Sequence, residues 1–114
     1  MFAIDYYYLG VEEYKKGNYT NALEYLLRSY DSEPHFKTCE RIFQCCMAVS
    51  KIEEARRYIE KAYTLNPKND KVALEYAKLL LQFDEKIFAA ELLESIIKRN
   101  SSYGPAIELL NSIT

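Results

Sequence analysis

The 114-residue chain has no tryptophan, a single histidine, and only three each of glycine, proline and cysteine. So few glycines and prolines exclude a sheet of many tight turns and leave the chain to long helices. An odd cysteine count leaves at least one thiol unpaired, which argues against a secreted disulfide framework and for a reducing, cytoplasmic setting. With one histidine, and no phosphate-cradling glycine loop, metalloprotease helix or nucleophile elbow, no enzyme, cofactor or metal site is expected. No uncharged apolar run reaches the roughly 18 residues of a membrane span. The first residues carry Asp5 where a leader would carry a basic stretch, so no leader is expected and the protein reads as soluble. A net charge of −2 removes the broadly basic surface usual for nucleic-acid binders, so nucleic acid is a minor expectation.

What is present is regular. At 49% hydrophobic and 28% charged the composition is that of an ordinary globular protein, and the length allows one domain, over 3–114. Pro34 and Pro67 stand 33 residues apart, with Ala22 and Ala55 at the same distance ahead of each, and Ala89 follows Ala55 by 34. Apolar residues recur at intervals of three and four within each period, the spacing of one helix face, and a polar break halves the period. The pattern predicts helices over 3–16 and 18–31, 35–49 and 51–65, and 70–83 and 85–99, with a short seventh over 105–112. Gly17 and Asn18 break the first pair. Ser50 with Glu53 reads as a capping box opening the fourth helix, Asp84 as a cap on the sixth, and Pro105 suits the first turn of the last.

These residues resemble the tetratricopeptide repeat, whose pattern is W-x2-L-G-x2-Y, then A-x3-F, then P. The first repeat (3–35) matches with Tyr6, Leu9, Gly10, Ala22, Leu26 and Pro34. The second (36–69) matches with Cys39, Ile42, Ala55, Ile59, Ala62 and Pro67, and the third (70–103) with Tyr76, Ala77, Leu80, Ala89 and Leu93, where Ser101 replaces the proline. The resemblance implies an all-α, right-handed superhelix, or α-solenoid, of three helical hairpins with a short C-terminal capping helix. Small residues let helix backbones approach and large ones fill the space between hairpins. Two positions depart from the pattern. Phe43 stands where Gly10 and Ala77 stand elsewhere, which asks the second hairpin to open. Glu13 replaces an aromatic, and Arg41 is its expected partner.

In such an array the first helix of each pair lines a concave groove. The face opposite the packed positions carries Ile4, Tyr7, Val11, Tyr14 and Lys15, flanked by Tyr8; Lys37, Glu40, Gln44, Met47 and Ala48, flanked by Arg41; and Lys71, Leu74, Lys78, Leu81 and Gln82, flanked by Glu75. Five basic residues (Lys15, Lys37, Arg41, Lys71, Lys78) against two acidic ones (Glu40, Glu75) make this face locally positive. It suits a peptide or helix with an apolar or aromatic anchor and acidic residues. The members of the resembled family that clamp a chaperone's terminal carboxylate use lysine and asparagine at set positions. Here Tyr7, Val11, Arg41 and Glu75 stand at four of them and Lys71 alone agrees, so that role is disfavoured.

Of 11 tyrosines, seven fall within residues 6–30. Tyr6, Tyr19 and Tyr30 are expected to fill the core, whereas Tyr6, Tyr7 and Tyr8 point three ways and leave one or two exposed. Cys39 and Cys46 read as core hydrophobes and Cys45 as partly exposed and oxidisable. His35 and Cys39 are one turn apart, an arrangement that reads as packing rather than as a metal pair.

The resulting expectation is a protein-protein interaction module, a scaffold or adaptor, binding a peptide or helix of a partner in the groove. The alternatives are a self-associating structural module, or an N-terminal fragment of a longer scaffold, joined through its terminal edges. Among those edges the last helix is short and greasy, with Ala106, Ile107, Leu109 and Leu110. RNA binding by a related helical repeat is a remote third.

Overall fold

Gly17, Ser50 and Asp84, one repeat apart, hold the same left-handed conformation, with φ of +82°, +61° and +60°. Each ends a helix by the same closure. The next residue's N–H reaches back five residues to a carbonyl, Asn18 to Glu13 at 2.9 Å, Lys51 to Cys46 at 2.8 Å and Glu85 to Leu80 at 2.9 Å. A second bond spans three residues, from Gly17 to Tyr14, Ser50 to Met47 and Asp84 to Leu81. This is the Schellman closure, which occupies carbonyls that a helix end leaves free. It corrects two expectations. Ser50 and Asp84 are the joints themselves, not caps: α4 begins after Lys51, and Glu85 holds the position before α6 without a side-chain cap.

The computed structural model describes residues 1–114, with helices α1 (Ala3–Lys15), α2 (Tyr19–Ser32), α3 (Phe36–Ala48), α4 (Ile52–Leu65), α5 (Asp70–Gln82), α6 (Lys86–Arg99) and α7 (Gly104–Ile113) and no strand. Every boundary lies within one residue of the sequence expectation. The chain forms two compact units, Met1–Leu65 and Asn66–Thr114.

In the first unit α1 packs on α2, α2 on α3 and α3 on α4. Ala22, Leu26, Cys39, Ile42, Ala55, Ile59 and Ala62 are without solvent exposure. Gly10 faces Leu26 so closely that no side chain fits between them. Phe43 is buried. Asp5 caps α1 in reverse, its Oδ2 accepting from the Phe2 N–H at 2.9 Å, and the Ser29 hydroxyl donates to the Ala3 carbonyl at 2.8 Å, tying α2 to the start of α1.

In the second unit α5 packs on α6 and α6 on α7 around Val72, Ala77, Leu80, Ala89, Leu93, Ile96 and Ala106. The Asn69 side chain accepts from the Val72 N–H at 3.0 Å, the N-cap of α5, and Arg99 donates to Asp70 at 2.9 Å, closing the far end of the hairpin. Pro105 sits in the first turn of α7, as its missing N–H allows.

Several packing expectations are corrected. Cys45 is as fully buried as Cys39 and Cys46, because α3 meets α1, α2 and α4 and keeps little outer face. Burial pushes the Cys39 and Cys45 thiols up to about 11, the reverse of a reactive thiolate. Tyr6, Tyr19 and Tyr30 are half-buried: Tyr19 meets Tyr14 edge-on, Tyr30 meets Tyr58, and Arg28 lies over Tyr6. Glu13 accepts from Asn18 at 2.8 Å, while Arg41 donates to Gln44 at 3.2 Å and lies over Tyr14, so the expected Glu13–Arg41 pair gives way to partners nearer each residue.

Candidate functional site

Two turns of α1 and the first turn of α3 face one another across the end of α2 and enclose a cleft of about 380 Å³ in the first unit. Ala3, Ile4, Tyr7 and Tyr8 form its apolar side. Ile4 and Tyr8 are 58% and 63% exposed, and the Tyr7 ring meets Tyr8 edge-on at 5.5 Å. They line one side because residues 3, 4, 7 and 8 share a helix face. Across from them stand Lys37 and Thr38 of α3, Ser29 of α2, and Glu33 and His35 of the connection.

His35 shapes the opening of α3. Its Nδ1 accepts from the Lys37 N–H at 3.1 Å, its carbonyl accepts from the Cys39 N–H, and its ring stacks on Phe36. The histidine is thus a helix cap, a role that its one-turn spacing from the buried Cys39 did not reveal. Thr38 and Ser29 are both buried polar residues lining the cleft, and the helix start places partial positive charge beside the Lys37 ammonium. Glu33 supplies the opposing charge on the rim. The cleft can seat one large apolar side chain against Ile4 and Tyr8, with a hydrogen-bonding or anionic group directed to Lys37 and Thr38.

The expected groove residues are distributed unevenly. Tyr7, Tyr8 and Lys37 come together in the cleft, as does Ile4. Val11 does not reach this cleft: it is 8% exposed and lies, with Tyr8 and Lys15, at the floor of a separate shallow depression along α1. Tyr14, Arg41 and Gln44 are half-buried and engage one another through the ring and side-chain contacts already described, while Lys15 is exposed at the end of α1. In the second unit Lys71, Lys78 and Gln82 are exposed on α5, and Lys78 pairs with Glu75 at 3.5 Å. Leu74, expected on the same open face, is buried. Sequence reasoning missed Ser29, Glu33 and Thr38, which reach the cleft from elements assigned to other faces. Of these, the position of Ser29 directly opposite the start of α1 is the legible signal, since polar residues at packing positions need a partner. No grouping of histidine, cysteine and carboxylate that could hold a metal ion occurs, and no helix is long and apolar enough to cross a membrane.

No family model and no curated protein matches the chain. Solved structures match it along nearly its whole length. The first tetratricopeptide domain of Spaghetti (RPAP3), bound to the HSP90 peptide SRMEEVD, is 17% identical with a TM-score of 0.84, covering 97% of this chain and 89% of that one. The second such domain of human RPAP3, in complex with the HSP70 peptide SGPTIEEVD, gives 19% and 0.83 over 97% and 93%. The Yersinia enterocolitica secretion chaperone SycD, in complex with a peptide of the translocator YopD, gives 16% and 0.83 over 96% and 89%. The fold is that of the tetratricopeptide-repeat proteins, all-α and built of successive helical hairpins.

Proposed function

We propose that this tetratricopeptide-fold chain is a protein-interaction module, and that its first unit holds a peptide segment of a partner protein in the cleft between α1 and α3. The observation that carries the reading is the placing of exposed Ile4 and Tyr8, with half-buried Tyr7 edge-on to Tyr8, across from Lys37. An apolar side chain buried there gains on the order of 2 kcal/mol, and Lys37, across from Glu33 on the rim, favours an acidic residue on its own side of the cleft. The neighbours of the same fold whose structures hold HSP90, HSP70 and YopD peptides support the general role. They do not lend it their ligands. The chaperone-tail clamp is disfavoured on the residues, with Tyr7, Val11, Arg41 and Glu75 at its positions.

Selection of random displayed peptides on the purified chain tests this reading. The expected outcome is enrichment of sequences pairing Leu, Met or Phe with Asp or Glu. Tyr7→Ala and Lys37→Glu each weaken the selected peptides about tenfold at unchanged helical circular dichroism. Enrichment of basic or wholly polar peptides, or binding indifferent to both substitutions, removes the cleft as the site.

A further inference from the structure

Two exposed faces, neither sharing a residue with the cleft, carry charge of opposite predominant sign. The first lies at the start of α6. Ile87 is 80% exposed and Phe88 is 41% exposed, its ring edge-on to the buried Tyr76. Asp84 and Glu91 surround these two side chains, and Glu94 continues the stripe, since residues 87, 91 and 94 share one side of a helix. Lys86 is the sole cation there. Neither Asp84, Glu91 nor Glu94 forms an ion pair within the chain. None of these groups is needed by the α5–α6 core, which is closed beneath them by Ala89, Leu92 and Leu93.

The second face lies on α4 and the end of α2. Arg57, Lys61 and Leu65 follow at four-residue intervals, and Tyr30 joins them from α2. Lys61 lies over the Tyr30 ring at 5.8 Å, Arg57 makes no ion pair, and Leu65 is 48% exposed. Glu60 is the sole acid among the residues of this face. Each face therefore sets one or two apolar side chains among charges of one predominant sign, and the two signs are complementary.

We propose that copies of this chain associate through these faces, the Ile87–Glu91 face of α6 in one copy on the Arg57–Lys61 face of α4 in another. Because the two patches differ, the contact is heterologous. Ile87 and Phe88 meet Leu65 and Tyr30, and Glu91 and Glu94 meet Lys61 and Arg57. The faces are small, so the association is weak and dependent on concentration and salt. It is independent of peptide binding at the α1–α3 cleft, which uses none of these residues.

Sedimentation velocity of the whole chain at rising concentration tests the proposal. The expected result is a sedimentation coefficient that climbs with concentration in low salt and returns to the monomer value in high salt. Glu91→Lys with Glu94→Lys gives one variant and Arg57→Glu with Lys61→Glu another. Each alone loses association by about tenfold or more, and mixing the two restores it, because the intact α4 face of the first variant meets the intact α6 face of the second and the two reversed faces are again opposite in sign. Circular dichroism of both variants guards the fold. A monomer at every concentration, an association that salt and both reversals leave unchanged, or a mixture that stays monomeric overturns the proposal. Peptide selection by either variant reads the cleft separately.

Discussion

A Cβ built on Gly10 would lie 2.6 Å from Cγ of Leu26 and 2.8 Å from its Cδ2, so α1 and α2 meet here backbone to side chain. The Leu26 side chain is itself without exposure and has nowhere to retreat. Gly10→Ala raises helix propensity by about 1 kcal/mol yet forces this contact apart, and overpacking of a closed core costs about 1–3 kcal/mol. A net loss of about 1 kcal/mol is expected in urea unfolding, and Gly10→Val loses more. A more stable Gly10→Ala protein would show that Leu26 can move aside.

Ser50 and Asp84 hold a backbone conformation that Gly17 holds without strain. Left-handed residues other than glycine cost about 1–2 kcal/mol, less for Asp, while glycine adds freedom to the unfolded chain. Ser50→Gly is expected to raise the unfolding free energy by about 0.5–1 kcal/mol and Asp84→Gly by somewhat less. Gly17→Ala should lower it by about 1 kcal/mol. Denaturant midpoints of the three variants measured together check the order.

The buried thiols make stability fall at high pH. Below pH 9.0 Cys39 and Cys45 are protonated in both the folded and the unfolded chain, and pH has no purchase on them. Above it the unfolded chain releases those protons, while burial keeps the folded thiols protonated up to about 11. The unfolded state is therefore favoured progressively between 9.0 and about 11. Denaturant unfolding across this range should show the decline, and a Cys39→Ala, Cys45→Ala double variant should reduce it, leaving the smaller part due to the buried Cys46, whose thiol burial also pushes up. The same burial predicts slow native reaction with a thiol reagent near neutral pH, becoming fast in denaturant. Fast native labelling of Cys45 would contradict its buried placement.

Much of the architecture was legible in the chain because its cause is local. Ala22, Ala55 and Ala89 recur where two helices must approach, and the three- and four-residue apolar spacing set each helix to within a residue. The joints were legible as breaks but not as geometry. Ser50 looks like a cap in any sequence, and only the closing bond from Lys51 to Cys46 shows it to be a left-handed helix stop.

The site was less legible. Ile4, Tyr7, Tyr8 and Lys37 were readable as one face because they lie far from the packed side of their helices, and the structure gathers them in one cleft. Val11 and Leu74 stand at the border of that face, where a turn of the helix by less than one residue decides between solvent and core, and both went inward. Cys45 shows the same limit: periodicity measures one buried stripe, whereas α3 packs against three helices and buries several.

The residue order alone decided how many helices form, where they start and stop, and which small side chains mark their closest approach, since each of these follows from neighbours within a few positions. Which borderline residues are covered, which partners Glu13 and Arg41 take, and how Ser29 and Thr38 come to share a cleft with Tyr7 were decided only by packing. Those outcomes depend on contacts between elements far apart in the chain, whose distances no local pattern records.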